Sequence, residues 1–149
     1  MARKTRVLFI CTGNSARSQM AEGFARNNGG DVLDASSGGI EPKGVHPLTP
    51  KVMAEREIDI KLQTSKRFHV ADAAAADIVV TLCDDARDRC PILPARVTAH
   101  HWSLEDPAAA SEDEAIDVFR RVRDEIEQQV AELIGKSSAR EKETDSEES

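Results

Sequence analysis

Residues 11–18 of the chain read Cys-Thr-Gly-Asn-Ser-Ala-Arg-Ser, directly after the apolar run Val-Leu-Phe-Ile at residues 7–10. The apolar run predicts a buried strand, and residues 17–28 carry apolar side chains at helical spacing. The first amides of a helix have no partner within it and lie at the positive end of its dipole, so the loop can bind an anion. That position also stabilises the thiolate of Cys11, and the planar fork of Arg17 can hold two oxygens of a tetrahedral anion.

The alternative is that Cys11 is a small packing residue and Arg17 a surface cation. The Cys-x5-Arg-Ser spacing lies between a strand pattern and a helix pattern, where an anion-binding loop belongs. The stretch therefore predicts a nucleophilic thiol beside a tetrahedral oxyanion.

Strand and helix patterns alternate along the rest of the chain. Predicted strands lie at residues 6–10, 32–36, 77–82 and 97–102, and predicted helices at 17–28, 50–56, 66–75 and 112–134. Thr49 is a candidate cap for the second helix, with Pro50 at its first position. This alternation predicts one α/β domain with a four-stranded parallel sheet flanked by helices.

The last helix is expected to end at Gly135. Residues 136–149 are almost entirely charged or hydroxyl-bearing, and such a composition does not recover the entropy lost on ordering. The sequence therefore predicts a domain over residues 1–135 and a disordered acidic tail over residues 136–149.

The composition of the 149 residues narrows the functional classes. The formal net charge of −7 disfavours a nucleic-acid surface. No stretch approaches the roughly 20 apolar residues of a membrane span. Three cysteines, an odd number, argue against a structural disulfide framework and fit a reducing compartment. We expect a cytoplasmic monomer without nucleic-acid or membrane partners.

Three reactive candidates follow predicted strands. The Cys11 loop follows the first strand, Cys83 the third and Asp106 the fourth. The carboxyl ends of parallel strands share one edge of the sheet, and ligands bind there where the strand order reverses. We therefore expect these residues to converge.

Other interpretations remain for the later residues. Cys83 is also consistent with a core position and Cys90 with a surface turn, and Asp106 before Pro107 with a turn former. A zinc site of Cys83, Cys90, His100 and His101 is disfavoured, because Cys-x6-Cys is not the short ligand spacing of structural zinc sites. His46, His100 and His101 are expected at the surface or behind the site.

Beyond these features, the chain resembles the arsenate reductases of the low-molecular-weight tyrosine phosphatase fold, which use three cysteines and a thioredoxin-like reductant. The resemblance spans residues 7–133. It rests on the motifs at residues 11–23, Val-Thr-Leu-Cys at 80–83, Cys-Pro-Ile-Leu-Pro at 90–94, His-Trp at 101–102 and Glu-Asp-Pro at 105–107.

The resemblance implies roles for individual residues. Cys11 attacks arsenate, Asp106 protonates the departing oxygen, Cys83 then displaces arsenite, and Cys90 stores the oxidation as a Cys83–Cys90 disulfide. The residues implied to bind the oxyanion are Thr12, Gly13, Asn14, Ser15, Ala16, Arg17 and Ser18. The resemblance implies no bound cofactor. It implies that electrons come from NADPH through thioredoxin reductase and thioredoxin, and that the reaction detoxifies arsenic.

Spacing adds one hypothesis about the thiol exchange. If residues 83–90 are helical, the two Cα atoms lie roughly 10 Å apart, whereas a disulfide tolerates about 7 Å. The segment must therefore unwind when Cys83 and Cys90 bond.

Two departures from the family pattern are visible. Asn14, Glu22 and Ser37 match ligands of a potassium site found in some members, but Lys66 replaces an aspartate. An ammonium group there would substitute for the cation and make activity insensitive to potassium. Ala16 stands where some relatives carry a further cysteine.

Two rival functions remain. A tyrosine phosphatase would use the same Cys11, Arg17 and Asp106, but the chain has no Tyr to stack on a substrate ring, and ester hydrolysis has no use for Cys83 and Cys90. Weak side phosphatase activity is nevertheless expected. A thiol redox sensor would need the cysteine pair but not Asp106.

Overall fold

The structure is a computed structural model that describes residues 3–148, with side chains described up to residue 139. Residues 3–148 contain four strands and five α-helices, with helices between successive strands and after the last one. The strands are β1 (Thr5–Cys11), β2 (Leu33–Gly39), β3 (Ile78–Thr81) and β4 (Thr98–His101). The helices are α1 (Arg17–Gly29), α2 (Leu48–Ala54), α3 (Val70–Ala75), α4 (Asp84–Arg89) and α5 (Ala115–Glu148), with a 3-10 turn at Pro107–Ala109.

The four strands form one parallel sheet in the order β2-β1-β3-β4. This confirms the predicted α/β class and the four-stranded parallel sheet. The order reverses between β1 and β3, so the loops that follow these strands face each other at the carboxyl edge. In the register, Cys11 lies opposite Gly39 and Ile10 opposite Thr81.

The core is aliphatic with a few phenylalanines, as the composition requires. Phe9 on β1, Phe24 on α1 and Phe119 on α5 are completely buried. Helices α1, α2 and α5 pack against one another, while α3 and α4 contact β1. Burial of apolar surface from both helices and strands holds the carboxyl edge in a fixed geometry.

Two predicted helix starts are wrong. Helix α2 begins at Leu48, and Thr49 lies inside its first turn, where its buried hydroxyl donates to the Ser15 carbonyl at 2.7 Å instead of capping the helix. Helix α3 begins at Val70 and not at residue 66. The preceding residues pair with the end of β2, since the Gly39 amide donates to the Lys66 carbonyl at 2.8 Å.

The prediction that Gly135 ends the last helix is also wrong, because α5 continues to Glu148. A glycine inside a helix costs about 1 kcal/mol relative to alanine and does not forbid the helical conformation. Ser137, beyond the glycine, is still buried. The separation of a domain over residues 1–135 from a disordered tail over residues 136–149 stays a prediction, and Ser149 lies outside the described residues.

Within residues 3–148, no helix combines the length and the apolar character needed to cross a membrane.

Candidate active site

The loop of residues 11–17 leaves the sheet at its switch point. Cys11 is the last residue of β1 and is 2% exposed, and α1 begins at Arg17. Gly39 of β2 presses against this loop: a Cβ there would lie 2.8 Å from the Thr12 carbonyl oxygen and 2.9 Å from the Asn14 nitrogen. A glycine is therefore required for the close approach.

The segment of residues 40–46, which follows β2, forms hydrogen bonds with the carbonyls of the loop. The amides of Ile40, Glu41, Lys43 and His46 donate to the carbonyls of Cys11, Thr12, Gly13 and Ser15 at 2.8 to 3.2 Å. Asn14 adopts a left-handed conformation with φ of 47°. Among residues 3–148, no protein acceptor is paired with the amides of residues 12–16. These amides remain available to an anion.

A hydrogen-bond network connects Asn14 and Ser18 to the Cys11 sulfur. The Asn14 side-chain amide donates to the hydroxyls of Ser18 at 2.7 Å and Ser37 at 3.0 Å. Its orientation is determined because Asn14 Oδ1 accepts from the Lys66 amide. Ser18 Oγ lies 2.8 Å from Cys11 Sγ. A thiolate only accepts, so when Cys11 is ionised the Ser18 hydroxyl donates to the sulfur and stabilises its charge.

The residues matched to a potassium site surround a buried carboxylate that already has cationic neighbours. Glu22 is 2% exposed and accepts from the Ser37 hydroxyl at 2.7 Å. Its other partners are cations, Arg26 at 3.1 Å and the Lys66 Nζ at 3.7 Å. Lys66 Nζ also donates to the Thr64 carbonyl. The ammonium group therefore occupies the place where a cation would balance the buried carboxylate.

Arg17 lies across the loop from the sulfur and is 7% exposed. Its Nη1 donates to the Leu104 carbonyl at 3.0 Å, and its Nη2 lies 3.8 Å from Asp106 Oδ1. Asp106 Oδ1 also accepts from the Ala108 amide at 3.0 Å, which holds the half-exposed carboxyl over the site. The predicted anion binder and the predicted general acid thus lie side by side.

Cys83 comes to the same loop from β3. Its Sγ lies 3.2 Å from Thr12 Oγ1 and accepts from the Ala86 amide at 3.4 Å as the cap of α4. The Thr12 hydroxyl also donates to Asp85 Oδ2 at 3.2 Å. The register explains the approach, because the Leu82 amide still pairs with the Ile10 carbonyl one residue before Cys83.

Cys90 stands apart from the other two thiols. All three cysteines are free, and Cys83 and Cys90 flank α4 at its two ends. Burial raises the pKa of the Cys90 thiol. Its side chain borders a groove of about 520 Å³ lined largely by apolar residues, among them Leu93 and Val97.

Two histidines, His46 and His101, contact neighbouring side chains. His46 packs on Phe119 with ring centroids 4.7 Å apart, and His101 bridges Thr81 and Asp84. In the described part of the chain, no group of three or more His, Cys, Asp or Glu side chains is arranged to hold a metal ion.

Comparison with known proteins agrees with this geometry. The family model of the low molecular weight phosphotyrosine protein phosphatases matches residues 6–145. The chain belongs to that family. A relative named arsenate reductase 1, from Staphylococcus epidermidis, is 51% identical over 126 residues, which cover 85% of this chain and 92% of the relative.

Two solved structures share the fold closely. One is described as an arsenate reductase in the phosphate binding state, with TM-score 0.71, 37% identity and coverage of 89% of this chain and 98% of the other. The other is the thioredoxin-dependent arsenate reductase of Corynebacterium glutamicum, with TM-score 0.77 and 26% identity. It covers 93% of this chain and 64% of its own.

Sequence reasoning missed several residues that shape the site. Gln19 donates to the Asn14 side chain at 3.0 Å and receives a bond from Gln63 at 2.9 Å. The sequence predicts Thr49 as a helix cap, although it bonds the loop, and it gives no sign of the Asp85 contact with Thr12.

Proposed function

We propose that this protein is an arsenate reductase that works through a cascade of three cysteines. The observation that carries the proposal is the position of Cys83, whose Sγ lies 3.2 Å from the hydroxyl of Thr12 in the loop of Cys11. A phosphatase needs the loop, Arg17 and Asp106 but has no use for a second thiol there. The relatives named arsenate reductases support the same substrate.

In the first step, arsenate binds to the loop amides and the Arg17 guanidinium. The Cys11 thiolate, facing the Ser18 hydroxyl, attacks arsenic, so that an arsenic–sulfur bond forms. One arsenic–oxygen bond breaks, and Asp106 gives a proton so that the oxygen leaves as water.

In the second step, the Cys83 thiolate attacks the Sγ of Cys11. The arsenic–sulfur bond breaks and its electron pair remains on arsenic, which falls from the pentavalent to the trivalent state. Arsenite leaves, and a Cys11–Cys83 disulfide forms.

In the third step, the Cys90 thiolate attacks the Sγ of Cys83. The Cys11–Cys83 bond breaks, Cys11 leaves as a thiolate, and a Cys83–Cys90 disulfide forms. Because α4 separates the two residues, it has to unwind. Burial raises the pKa of Cys90 while α4 is helical, which disfavours its thiolate until this last exchange.

An external dithiol closes the cycle by giving two electrons and two protons to the Cys83–Cys90 disulfide. We assign this role to thioredoxin, supplied by NADPH and thioredoxin reductase, in keeping with the thioredoxin-dependent relative. Such a cycle requires a reducing compartment, which favours the cytoplasm. The proposed cycle uses no bound cofactor and needs a single copy of the chain.

The test is arsenate-dependent oxidation of NADPH by the full chain with thioredoxin and thioredoxin reductase. We expect turnover in the parent protein and its loss in Cys11→Ser, Cys83→Ser, Cys90→Ser and Asp106→Ala. A matched control is Asp88→Ala, which changes an exposed carboxylate on α4. Turnover that survives Cys90→Ser would contradict the cascade, and turnover that survives Asp106→Ala would contradict the general acid.

A weak phosphatase activity is a second expected property. The Cys11, Arg17 and Asp106 arrangement suits any tetrahedral oxyanion of similar charge. Hydrolysis of a small aryl phosphate should persist in Cys83→Ser and Cys90→Ser and disappear in Cys11→Ser, which separates this chemistry from arsenate reduction.

A further inference from the structure

Helix α4 connects Cys83 to Cys90 and is held to the molecule by few side chains. Of its six residues, Ala86 alone is buried. The others are charged, and three of them reach across to neighbouring elements. Asp85 accepts from Thr12, Arg89 lies 3.5 Å from Glu41, and Asp84 meets His101.

The Asp84–His101 contact ties the first residue of α4 to a side chain of β4. His101 Nε2 lies 2.9 Å from Asp84 Oδ1. A carboxylate only accepts, so Nε2 carries a hydrogen, and Nδ1 of the neutral ring can accept from the Thr81 hydroxyl at 2.8 Å. Thr81 is buried at the end of β3, and it holds the imidazole in place. His101 is 22% exposed and Asp84 67% exposed.

This contact joins α4 to β4 in the helical form that the structure shows. A Cys83–Cys90 disulfide needs Cα atoms within about 7 Å, and seven residues of helix separate them by roughly 10 Å. Asp84 is the first residue of the helix and directly follows Cys83, so we expect unwinding to move it away from His101 on β4. An interaction present in the dithiol form and lost in the disulfide form favours the dithiol.

We infer that His101 and Asp84 are positioning residues that hold α4 in its helical form and thereby set the reduction potential of the Cys83–Cys90 couple. The inference rests on the proposed function, which requires that couple. In the reaction concerned, the Cys83–Cys90 bond breaks as a dithiol gives it two electrons and two protons and becomes a disulfide itself. The His101–Asp84 contact, called the clamp below, favours reduction of the disulfide, and so favours regeneration of the enzyme.

The experiment measures the couple without arsenate. The full chain carries Cys11→Ser so that one disulfide alone can form, and it is equilibrated in mixtures of oxidised and reduced dithiothreitol. Alkylation and mass spectrometry then give the fraction of disulfide. His101→Ala should shift the equilibrium towards the disulfide by about threefold to tenfold, the effect of one lost hydrogen bond. This corresponds to about 15 to 30 mV, since tenfold is about 30 mV for two electrons.

Matched variants separate this role from general damage. His101→Gln keeps a side-chain N–H that can donate to Asp84. Its equilibrium constant for disulfide formation should therefore lie within about twofold of the parent value. His100→Ala, on the same strand, should leave it unchanged. Asp84→Ala alters an exposed side chain and keeps the test decisive if His101→Ala does not fold. In the variant that carries both Asp84→Ala and His101→Ala, the shift should be smaller than the sum of the two single shifts, because both changes remove the same contact. Asp84 also lies 3.9 Å from Arg87, so Asp84→Ala has an effect of its own.

Amide exchange gives an independent readout. In the reduced protein, residues 84–90 should exchange faster in His101→Ala than in His100→Ala. A potential that is the same in the parent and His101→Ala, or shifted equally in His100→Ala, would overturn the clamp. A parent protein that never forms the disulfide would instead overturn the cascade itself, and the clamp with it.

Discussion

The Ser18 hydroxyl lies 2.8 Å from the Sγ of Cys11, and Ser18 also accepts from the Asn14 side-chain amide. A thiolate only accepts, so an ionised Cys11 receives the Ser18 hydrogen. The proposed nucleophile is therefore contacted by a side chain from the first turn of α1.

Replacing Ser18 by alanine should slow the attack on arsenate while the fold is kept. A hydrogen bond to a charged group contributes about 1.5 to 3 kcal/mol, so kcat/KM should fall by about tenfold to a hundredfold. Steady-state kinetics with the thioredoxin system measures it. Ser36→Ala on β2 is the matched control, since Ser36 lies outside the network, and equal losses in both variants would contradict the role of Ser18.

Replacing Thr12 by valine should slow the second step selectively. Valine keeps the shape and the loop amide but removes the hydroxyl that lies 3.2 Å from Cys83 Sγ. That hydroxyl can turn its hydrogen from Asp85 to a Cys83 thiolate and stabilise its charge. In a Cys90→Ser background, formation of the Cys11–Cys83 disulfide after arsenate is added should slow by about threefold to tenfold. Quenched samples analysed by mass spectrometry give the rate. Thr98→Val, on the exposed start of β4, should behave as the parent does.

Activity should be insensitive to potassium, because the Lys66 ammonium already lies beside the buried Glu22. Exchange of sodium chloride for potassium chloride at constant ionic strength should leave turnover unchanged. Lys66→Asp removes that charge and adds an acidic group, so its turnover should become dependent on potassium. A strong rise in turnover of the parent protein in potassium would refute this interpretation.

Acid should weaken the junction of α2 and α5. Hydrogen bonds and charges from Arg120 and Arg123 lower the pKa of Glu55 from 4.5 to about 2. A folded-state pKa below the unfolded value contributes stability that is present above 4.5 and is lost as the pH falls towards 2. Glu55→Gln should therefore be less stable than the parent near neutral pH, and the difference should shrink across that window.

Urea midpoints taken across that pH range test the prediction. Glu57→Gln, an exposed position nearby, is the control and should show the parent's pH dependence. A gap between Glu55→Gln and the parent that stays constant in acid would contradict the assignment to Glu55.

The order of strands and helices was largely predictable, because each element leaves a local pattern. The apolar run before Cys11, the helical spacing after Arg17 and the buried run before Cys83 each predicted an element that the structure contains. Errors fell where tertiary contacts override local preference. Thr49 bonds a loop carbonyl instead of capping a helix. Gly135 lies inside α5, where Leu133 and Ser137 on either side of it are buried.

The candidate site was predictable in composition but not in its internal bonding. Parallel strands bring their carboxyl ends to one edge, so the convergence of the Cys11 loop, Cys83 and Asp106 followed from strand order. The hydrogen-bond partners of Asn14 could not be predicted in this way, since Gln19, Lys66 and Ser37 come from three separate parts of the chain.

By itself, the sequence determined a thiol at the end of a buried strand, followed by a loop at the start of a helix, and it predicted that this loop binds an anion. These are local features, because hydrophobic periodicity and free helix-terminal amides depend on neighbouring residues alone. Only the tertiary structure decided which distant side chains meet this loop. Strand register and helix packing set these contacts, and no short stretch of sequence encodes them. They are the contacts of Cys83 with Thr12, of Lys66 with Glu22 and of His101 with Asp84.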